Sequence, residues 1–528
     1  MTETETALPA SAAEMTMTET ETALPASAAE MTMTEAETAL PASGAEMTMT
    51  GAETALPASG ADEAAADGTV YEAEDGTLSG NTHVVVLDES ASGGKCVEGF
   101  EADGDRAAVM VSVAADGFYD LDFRVHALGG YKENRVYADG EYAGLIRSEE
   151  DAFVSCVVPH VWMAAGSHEV AVEKYWGWIR WDNVTVRAAQ PADSGIYDVS
   201  AALSDSEASE NARRVWQYLK DGYGKEILSG QYCDGGIYGH EMAVIWKETG
   251  KFPAIVGLDM IEASPSRVEN GSESHAAEYA LEAWENNTLV TMCWHWNAPS
   301  KYLTGAWYSG FYKEYTDIDL DRIMNGGDEE GYELLLSDMD AIAQELTVLR
   351  DADVPVLWRP LHEASGGWFW WGDCSAQSYI ALYRLMYEKF TQEYGLHNLI
   401  WVWNGQSPDW YPGDDVVDVT GEDIYPGYHV YTSQYQKFAE AVGDSGEYKI
   451  AALTENGCLF DPDLAGRDGA MWRWFCTWSG EFVTDSDVLN VYAETYTEKE
   501  MLHKVYDHDL VITRDELPDL KTYSIGES

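Results

Sequence analysis

Two glutamates carry the chemistry that this sequence advertises. Glu363 closes the run PVLWRPLHE and Glu455 lies in KIAALTENG, each after a short apolar stretch and before Gly and polar residues. A carboxyl group at the loop end of a buried strand can hold a proton or act as a nucleophile. Two of them facing each other are what cleavage of a glycosidic bond requires: one protonates the leaving oxygen while the other attacks or stabilises the sugar cation. Trp368, Trp370 and Trp371 follow directly in WFWWG, where flat rings could stack on sugar faces. The combination points to hydrolysis of a polysaccharide.

Such a pair works only if the fold brings it together. Apolar, strand-like runs occur at 226–232, 254–260, 288–296, 355–363, 399–405, 416–425, 449–457 and 471–480. Amphipathic stretches such as LLLSDMDAIAQELTVLRDA and SYIALYRLMYEKFTQEYG lie between them and read as helices. Eight strands joined by helices predict a (β/α)8 TIM barrel, whose strands end at the active-site face. Counting puts Glu363 at the end of the fourth strand and Glu455 at the end of the seventh, on facing sides of the mouth. Gln231 and Asp259 end the first two strands and fit either the cleft or its scaffolding. Either glutamate alone could be a solvated loop residue; the two together are harder to explain that way.

The rest of the chain divides by composition. Residues 1–67 consist mainly of four copies of a 16-residue unit, MTETETALPASAAEMT and variants, rich in Thr, Glu, Ala and Pro. With almost no large apolar residue to bury, they predict a disordered acidic tail. Residues 68–188 alternate in short stretches, such as FYDLDFRVHA and HEVAVEKY, separated by Gly, Asp and Asn turns. They predict an all-β sandwich of jelly-roll type. Residues 189–206 read as a linker, and 207–528 as the barrel domain.

Composition excludes several functions. With 93 acidic and 31 basic residues the net charge is −62, which repels phosphate backbones and argues against a nucleic-acid partner. A neutral polymer substrate suits this charge, and so would a saline habitat. The 20 Trp fit large cores or sugar platforms. The seven cysteines form no metal-binding pattern; Cys96 and Cys156 could pair, or all could be buried thiols. No apolar run is long enough to span a membrane. The N-terminal residues have neither the basic start nor the apolar core of a secretion signal.

The strings WRPLHEASGGWFWWG, TENG, WVWNGQSPDWYPGDD, GEDIYPG and VITRDELPDL resemble glycoside hydrolase family 26, dominated by endo-β-1,4-mannanases. The resemblance covers about 207–528. It implies a retaining barrel enzyme with Glu363 as acid/base and Glu455 as nucleophile, about 5–5.5 Å apart. It further implies that Arg359 and Tyr425 hold Glu455, which should depress its pKa. His295 and His362 would contact substrate hydroxyls, Trp368 would stack on the leaving side and Trp478 would floor the sugar under attack. Trp403 reads as packing.

YEAEDGTLSG and YWGWIRWDNVTV resemble a family 35 carbohydrate-binding module over about 68–188. There Glu72, Glu74 and Asp182 would meet and hold a structural calcium, unless they are plain surface acids. Tyr131, Asn134, Trp176 and Trp178 are candidates for the module's sugar face, with packing as the competing role. The expected enzyme is an extracellular monomer acting on mannan, glucomannan or galactomannan, with no catalytic cofactor. A related β-glycanase acting on mixed-linkage glucan or xylan, and a non-catalytic polysaccharide-binding protein, are the rivals.

Overall fold

Burial alternates along most strands from Thr69 to Ala188, and that alternation makes a two-sheet sandwich. Arg106–Val113 and Gly117–Ala127 send Val109, Val111, Leu121, Phe123 and Val125 inward while their neighbours face out. One sheet runs in the order His83–Val86, Lys95–Glu98, Ile179–Ala188, Gly117–Ala127, Val154–Met163, with Thr69–Glu72 also paired to Ile179–Ala188. The other runs Thr77–Ser79, Arg106–Val113, Gly166–Lys174, Lys132–Ala138, Glu141–Ser148. This computed structural model describes residues 68–86, 90–199, 201–485 and 491–526. The tail expected to be disordered, 1–67, lies outside the described residues.

The second half closes a parallel barrel of β1 (Gly230–Tyr232), β2 (Ile255–Asp259), β3 (Leu289–Trp294), β4 (Val356–Pro360), β5 (Leu399–Trp403), β6 (Val419–Ile424), β7 (Ile450–Asn456) and β8 (Phe475–Thr477). These strands are buried on both faces, which is why they read as continuous apolar runs and not as alternating ones. All eight predicted runs contribute a strand. The first divides, because Ile227–Leu228 leaves the barrel to pair with Val511–Ile512. Helix starts carry side-chain caps: Ser209, Asp328 and Ser375 each accept a backbone N–H in the first turn of their helices.

The stretch expected to be a linker, 189–206, does not hang free. Val199 and Leu203 are buried in the barrel's core, and the Tyr197 hydroxyl donates to the Gly469 carbonyl. The sandwich docks on the barrel through the helix Tyr435–Gly443. Gln436 accepts from the Leu145 N–H at 2.8 Å and donates back to the Leu145 carbonyl at 3.0 Å. Arg147 of the sandwich pairs with Glu440, and Lys437 pairs with both Glu440 and the buried Glu422 of β6. At Gly144 an added Cβ would lie 2.5 Å from the Gln436 side-chain oxygen Oε1.

All seven cysteines are free. Cys96 and Cys156 sit on strands three spacings apart in one sheet, about 14 Å, beyond the reach of a disulfide. Among the described residues no helix is long and apolar enough to cross a membrane.

Candidate active site

Glu363 follows β4 in a backbone that ordinary residues avoid. Its φ is 53° and that of Leu361 is also 53°, two left-handed residues one apart. Such conformations cost about 1–3 kcal/mol each and persist only where surroundings impose them. Here the Glu363 N–H donates to the Asn404 carbonyl at 2.9 Å, and the Tyr379 hydroxyl donates to the Leu361 carbonyl at 3.0 Å. The indole of Trp371 donates to the His362 carbonyl at 2.8 Å, and that of Trp370 to the Trp296 carbonyl at 2.6 Å. Trp370 and Trp371 are therefore fully buried loop anchors, not the sugar platforms their position suggested. Trp368 is different: it is 42% exposed, and its indole N–H donates to Glu363 Oε2 at 2.9 Å. Gly366 makes room for that ring, since an added Cβ would lie 2.0 Å from it.

Glu455 arrives from β7 across the mouth. A register shift between β6 and β7 puts Asp423 opposite Glu455, so both carboxylates turn into the barrel. Arg359, wholly buried on β4, joins them: it donates to Glu455 Oε1, to Asp423 Oδ2 at 2.8 Å, and to Asn404 Oδ1 at 3.3 Å. It also donates to the Tyr232 hydroxyl at 3.0 Å. Tyr425 donates to Glu455 Oε2 at 2.6 Å. One oxygen from each of Glu363, Asp423 and Glu455 lies within 4.8 Å of the others. That closeness lets both glutamates act on one sugar.

Asp423 of GEDIYPG and Asn404 of WVWNGQSPDWYPGDD complete the site beyond the residues the sequence singles out. The available signal was Glu422–Asp423 inside a buried strand, where each charge demands a partner. Adjacent strand residues face opposite ways, and these two do: Asp423 meets Arg359 inside the barrel and Glu422 meets Lys437 outside it.

His295 and His362 share the floor. Asp259 accepts from His295 Nδ1 at 2.6 Å and from its backbone N–H at 3.1 Å, which orients the ring. The two histidine Nε2 atoms are 3.1 Å apart. His295 thus bridges Asp259 at Nδ1 and His362 at Nε2. His362 stays neutral, because burial first and then Arg359 and His295 hold its pKa well below normal. Asp259 thus belongs to the site's support. Gln231 does too, spending its amide on the Tyr232 and Trp478 carbonyls. Trp478 packs against Tyr232, ring centroids 4.6 Å apart, with His295 at 5.6 Å. Trp403 is fully buried.

The charges set the proton inventory. Burial, then Asp423 and Glu455, push the Glu363 carboxyl well above its ordinary range. Glu455 moves the same way, to about 7, because burial and Asp423 outweigh the pull of Arg359 and Tyr425. The depressed value expected for Glu455 is therefore not found: a guanidinium shared between two carboxylates neutralises neither fully. The order still separates them, since Glu455 has two strong donors and Glu363 only an indole. Among the described residues, two side-chain groups are gathered tightly enough to hold a metal, and both lie at this mouth. In Glu363, Asp423 and Glu455, Arg359 already supplies the cation. In Asp259, Cys293 and His295, the Asp–His hydrogen bond occupies the donors.

In the sandwich Tyr131, Trp176 and Trp178 are exposed, and the Tyr131 and Trp176 rings meet edge to face at 6.0 Å. Asn134 does not join them. It is 0% exposed and holds the turn behind the rings, accepting from the Tyr175 N–H and reaching the Gly177 carbonyl. Asp182 is bound by Arg124 and by the Ser92 N–H, so the proposed acidic trio is partly neutralised without a metal. Glu72 accepts from the Ser92 hydroxyl at 2.8 Å, yet Glu72 Oε2 and Glu74 Oε2 are buried without a hydrogen-bond partner. Oxygens are the ligands a hard cation takes, but Glu72, Glu74 and Asp182 are not among the groups gathered within 4.8 Å.

Comparison with known proteins agrees with this arrangement. Residues 204–516 match the profile of Glycosyl hydrolase family 26, and residues 69–189 match that of Carbohydrate binding module (family 35). The chain is 37% identical to a mannan endo-1,4-beta-mannosidase of Thermothelomyces thermophilus, over 86% of this chain and 92% of the relative. It is 32% identical to mannan endo-1,4-beta-mannosidase B of Piromyces, over 86% of this chain and 78% of the relative. Among solved structures, a Podospora anserina GH26-CBM35 beta-(1,4)-mannanase superposes with a TM-score of 0.60 at 34% identity, covering 86% of this chain and 100% of that one.

Proposed function

The chain belongs to glycosyl hydrolase family 26, and from that premise we propose that Glu363 is its acid/base and Glu455 its nucleophile. The protein is an endo-acting glycoside hydrolase of β-1,4-mannosidic bonds. The observation that supports the residue roles best is the approach of their carboxylate oxygens to within 4.8 Å. In the first step ionised Glu455 attacks the anomeric carbon while Glu363 gives its proton to the departing glycosidic oxygen. A glycosyl ester on Glu455 results. In the second step Glu363, now a carboxylate, takes a proton from water, whose oxygen attacks the same carbon and releases Glu455. Arg359 and Tyr425 fix the attacking oxygens, and Asp423 fixes Arg359. The two carboxyl groups and one water supply every proton and electron pair that the two steps need, so catalysis needs no cofactor.

Trp368 is the platform on the leaving side and Trp478 the floor beneath the attacked sugar, and His295 and His362, whose Nε2 atoms are spent on each other, brace that floor instead of meeting hydroxyls. The exposed rings Tyr131, Trp176 and Trp178 suit the module for holding polysaccharide. Glu72 and Glu74 are the oxygens most in need of a cation in the sandwich, which supports a structural calcium there. Asp182 serves it by fixing the Ser92 turn. A polymeric substrate, whether mannan, glucomannan or galactomannan, supports action outside the cell. The groups assigned to the reaction all come from one chain, consistent with a working monomer.

Proton NMR of the first product formed from mannohexaose tests the mechanism. Initial appearance of the β-anomer is expected. Initial α-anomer would mean inversion and remove the nucleophile role from Glu455.

A further inference from the structure

The ring that orients Glu455 begins a line of aromatic side chains that leaves the reacting centre along the rim. Tyr425 meets Phe482 at 5.3 Å between centroids, Phe482 meets Tyr496 at 4.5 Å, and Tyr496 meets Tyr428 at 5.0 Å. Exposure is high at both ends, 42% for Tyr425 and 65% for Tyr428, with Phe482 and Tyr496 half-buried between them. The last two rings lie 32° apart in tilt, too close to admit a sugar between them. They overlap with an offset, so Tyr496 backs one face of the Tyr428 ring and Tyr428, 65% exposed, turns the other to solvent. The Tyr496 hydroxyl donates to Glu481 at 3.2 Å, which sets a polar edge beside an apolar face. A pyranose, with axial C–H groups below and hydroxyls around its edge, matches such a surface.

This rim is held in place by bonds that no core needs. The loop after β6 and the loop after β8 are joined by the His429 N–H donating to the Tyr496 carbonyl at 2.9 Å. His429 Nε2 donates to the Glu494 carbonyl at 2.9 Å, and the Tyr431 hydroxyl accepts from the Glu498 N–H at 2.9 Å. His429 makes its two bonds from a left-handed backbone, φ 56°. A strained residue that pins two loops, with an adjacent tyrosine left in solvent, is the pattern of a preorganised binding surface.

We propose that Tyr428 and Tyr496 form a remote sugar-stacking platform, which holds the substrate chain beyond the sugars at Glu363 and Glu455. The inference rests on the mannan-hydrolase reading and extends it to substrate length. A platform away from the bond being cut adds binding only to chains that reach it. Short oligosaccharides fall short of the rings and lose nothing when the platform is removed.

Steady-state kinetics on a ladder from mannotriose to mannohexaose tests this, with the wild type, Tyr428→Ala, Tyr428→Phe and Tyr496→Ala. For the wild type, turnover of the ladder checks the hydrolase reading by itself. In Tyr428→Ala and Tyr496→Ala we expect kcat/KM to fall about three- to tenfold on the longest members and to stay within about twofold on the shortest. Tyr428→Phe, which keeps the ring, should stay within about twofold throughout. A length-independent loss, or no loss on any chain while the wild type turns over, would overturn the platform.

Discussion

The barrel mouth and the sandwich both combine carboxylates with aromatic rings, yet they use them in opposite ways. At the mouth three carboxylates share one buried guanidinium, and Trp368 touches the acid directly. Crowding and burial push both glutamates up, and that stored cost makes one a proton donor near neutrality. In the sandwich the exposed rings of Trp176 and Trp178 sit on a turn held from behind by Asn134. Asp182 and Glu72 of the same domain lie elsewhere, meeting Arg124 and the Ser92 turn. Rings away from a pair of buried reacting acids can only hold a sugar. Rings beside a strained, desolvated acid can help to cut one.

Substitution tests that contrast most strongly at Glu455. Glu455→Ala is expected to lower kcat on mannan by at least about 10⁴-fold, while retention on a mannan affinity gel stays at the wild-type level. Surviving turnover would break the contrast at its root.

The pH profile sharpens it. Attack needs Glu455 ionised and protonation needs Glu363 neutral. With Glu455 raised to about 7, the acid limb of kcat/KM should lie well above the ordinary glutamate value of 4.5. Because native Glu455 keeps its proton where the unfolded chain has lost it, stability falls as pH rises from 4.5 towards 7. Glu455→Gln should flatten that slope in thermal melts recorded across the range. An acid limb near 4.5 would mean that Arg359 dominates after all.

On the sandwich side, Trp176→Ala and Trp178→Ala should each weaken mannan-gel retention by about three- to tenfold. Their kcat/KM on mannohexaose should not change. The smallest effect concerns the cation: EDTA should lower the melting temperature by a few degrees, and calcium should restore it in the wild type but not in Glu72→Gln. Equal melting with and without EDTA would mean that no bound cation stabilises the sandwich.

Much of this contrast was readable in advance. Uninterrupted apolar runs meant strands buried on both faces, alternating runs meant a sandwich, and acids at two run ends meant a mouth. Asp423 was harder to see, because an acid within a buried run gives no sign of which face it takes until the strand is paired. Asn134 reads like any polar residue beside aromatic ones. Only the return of residues 175–177 over it shows that its amide is consumed.

Local chemistry alone determined which groups are present: two glutamates after strands, rings beside them, eight strands in order. Pairing distant segments decided what those groups became. Glu455 owes its raised pKa to Asp423 and to burial beneath neighbouring strands, and His429 owes its backbone to a loop that follows β8. Desolvation and Coulomb forces act through space, and the distances they depend on exist only once the barrel has closed.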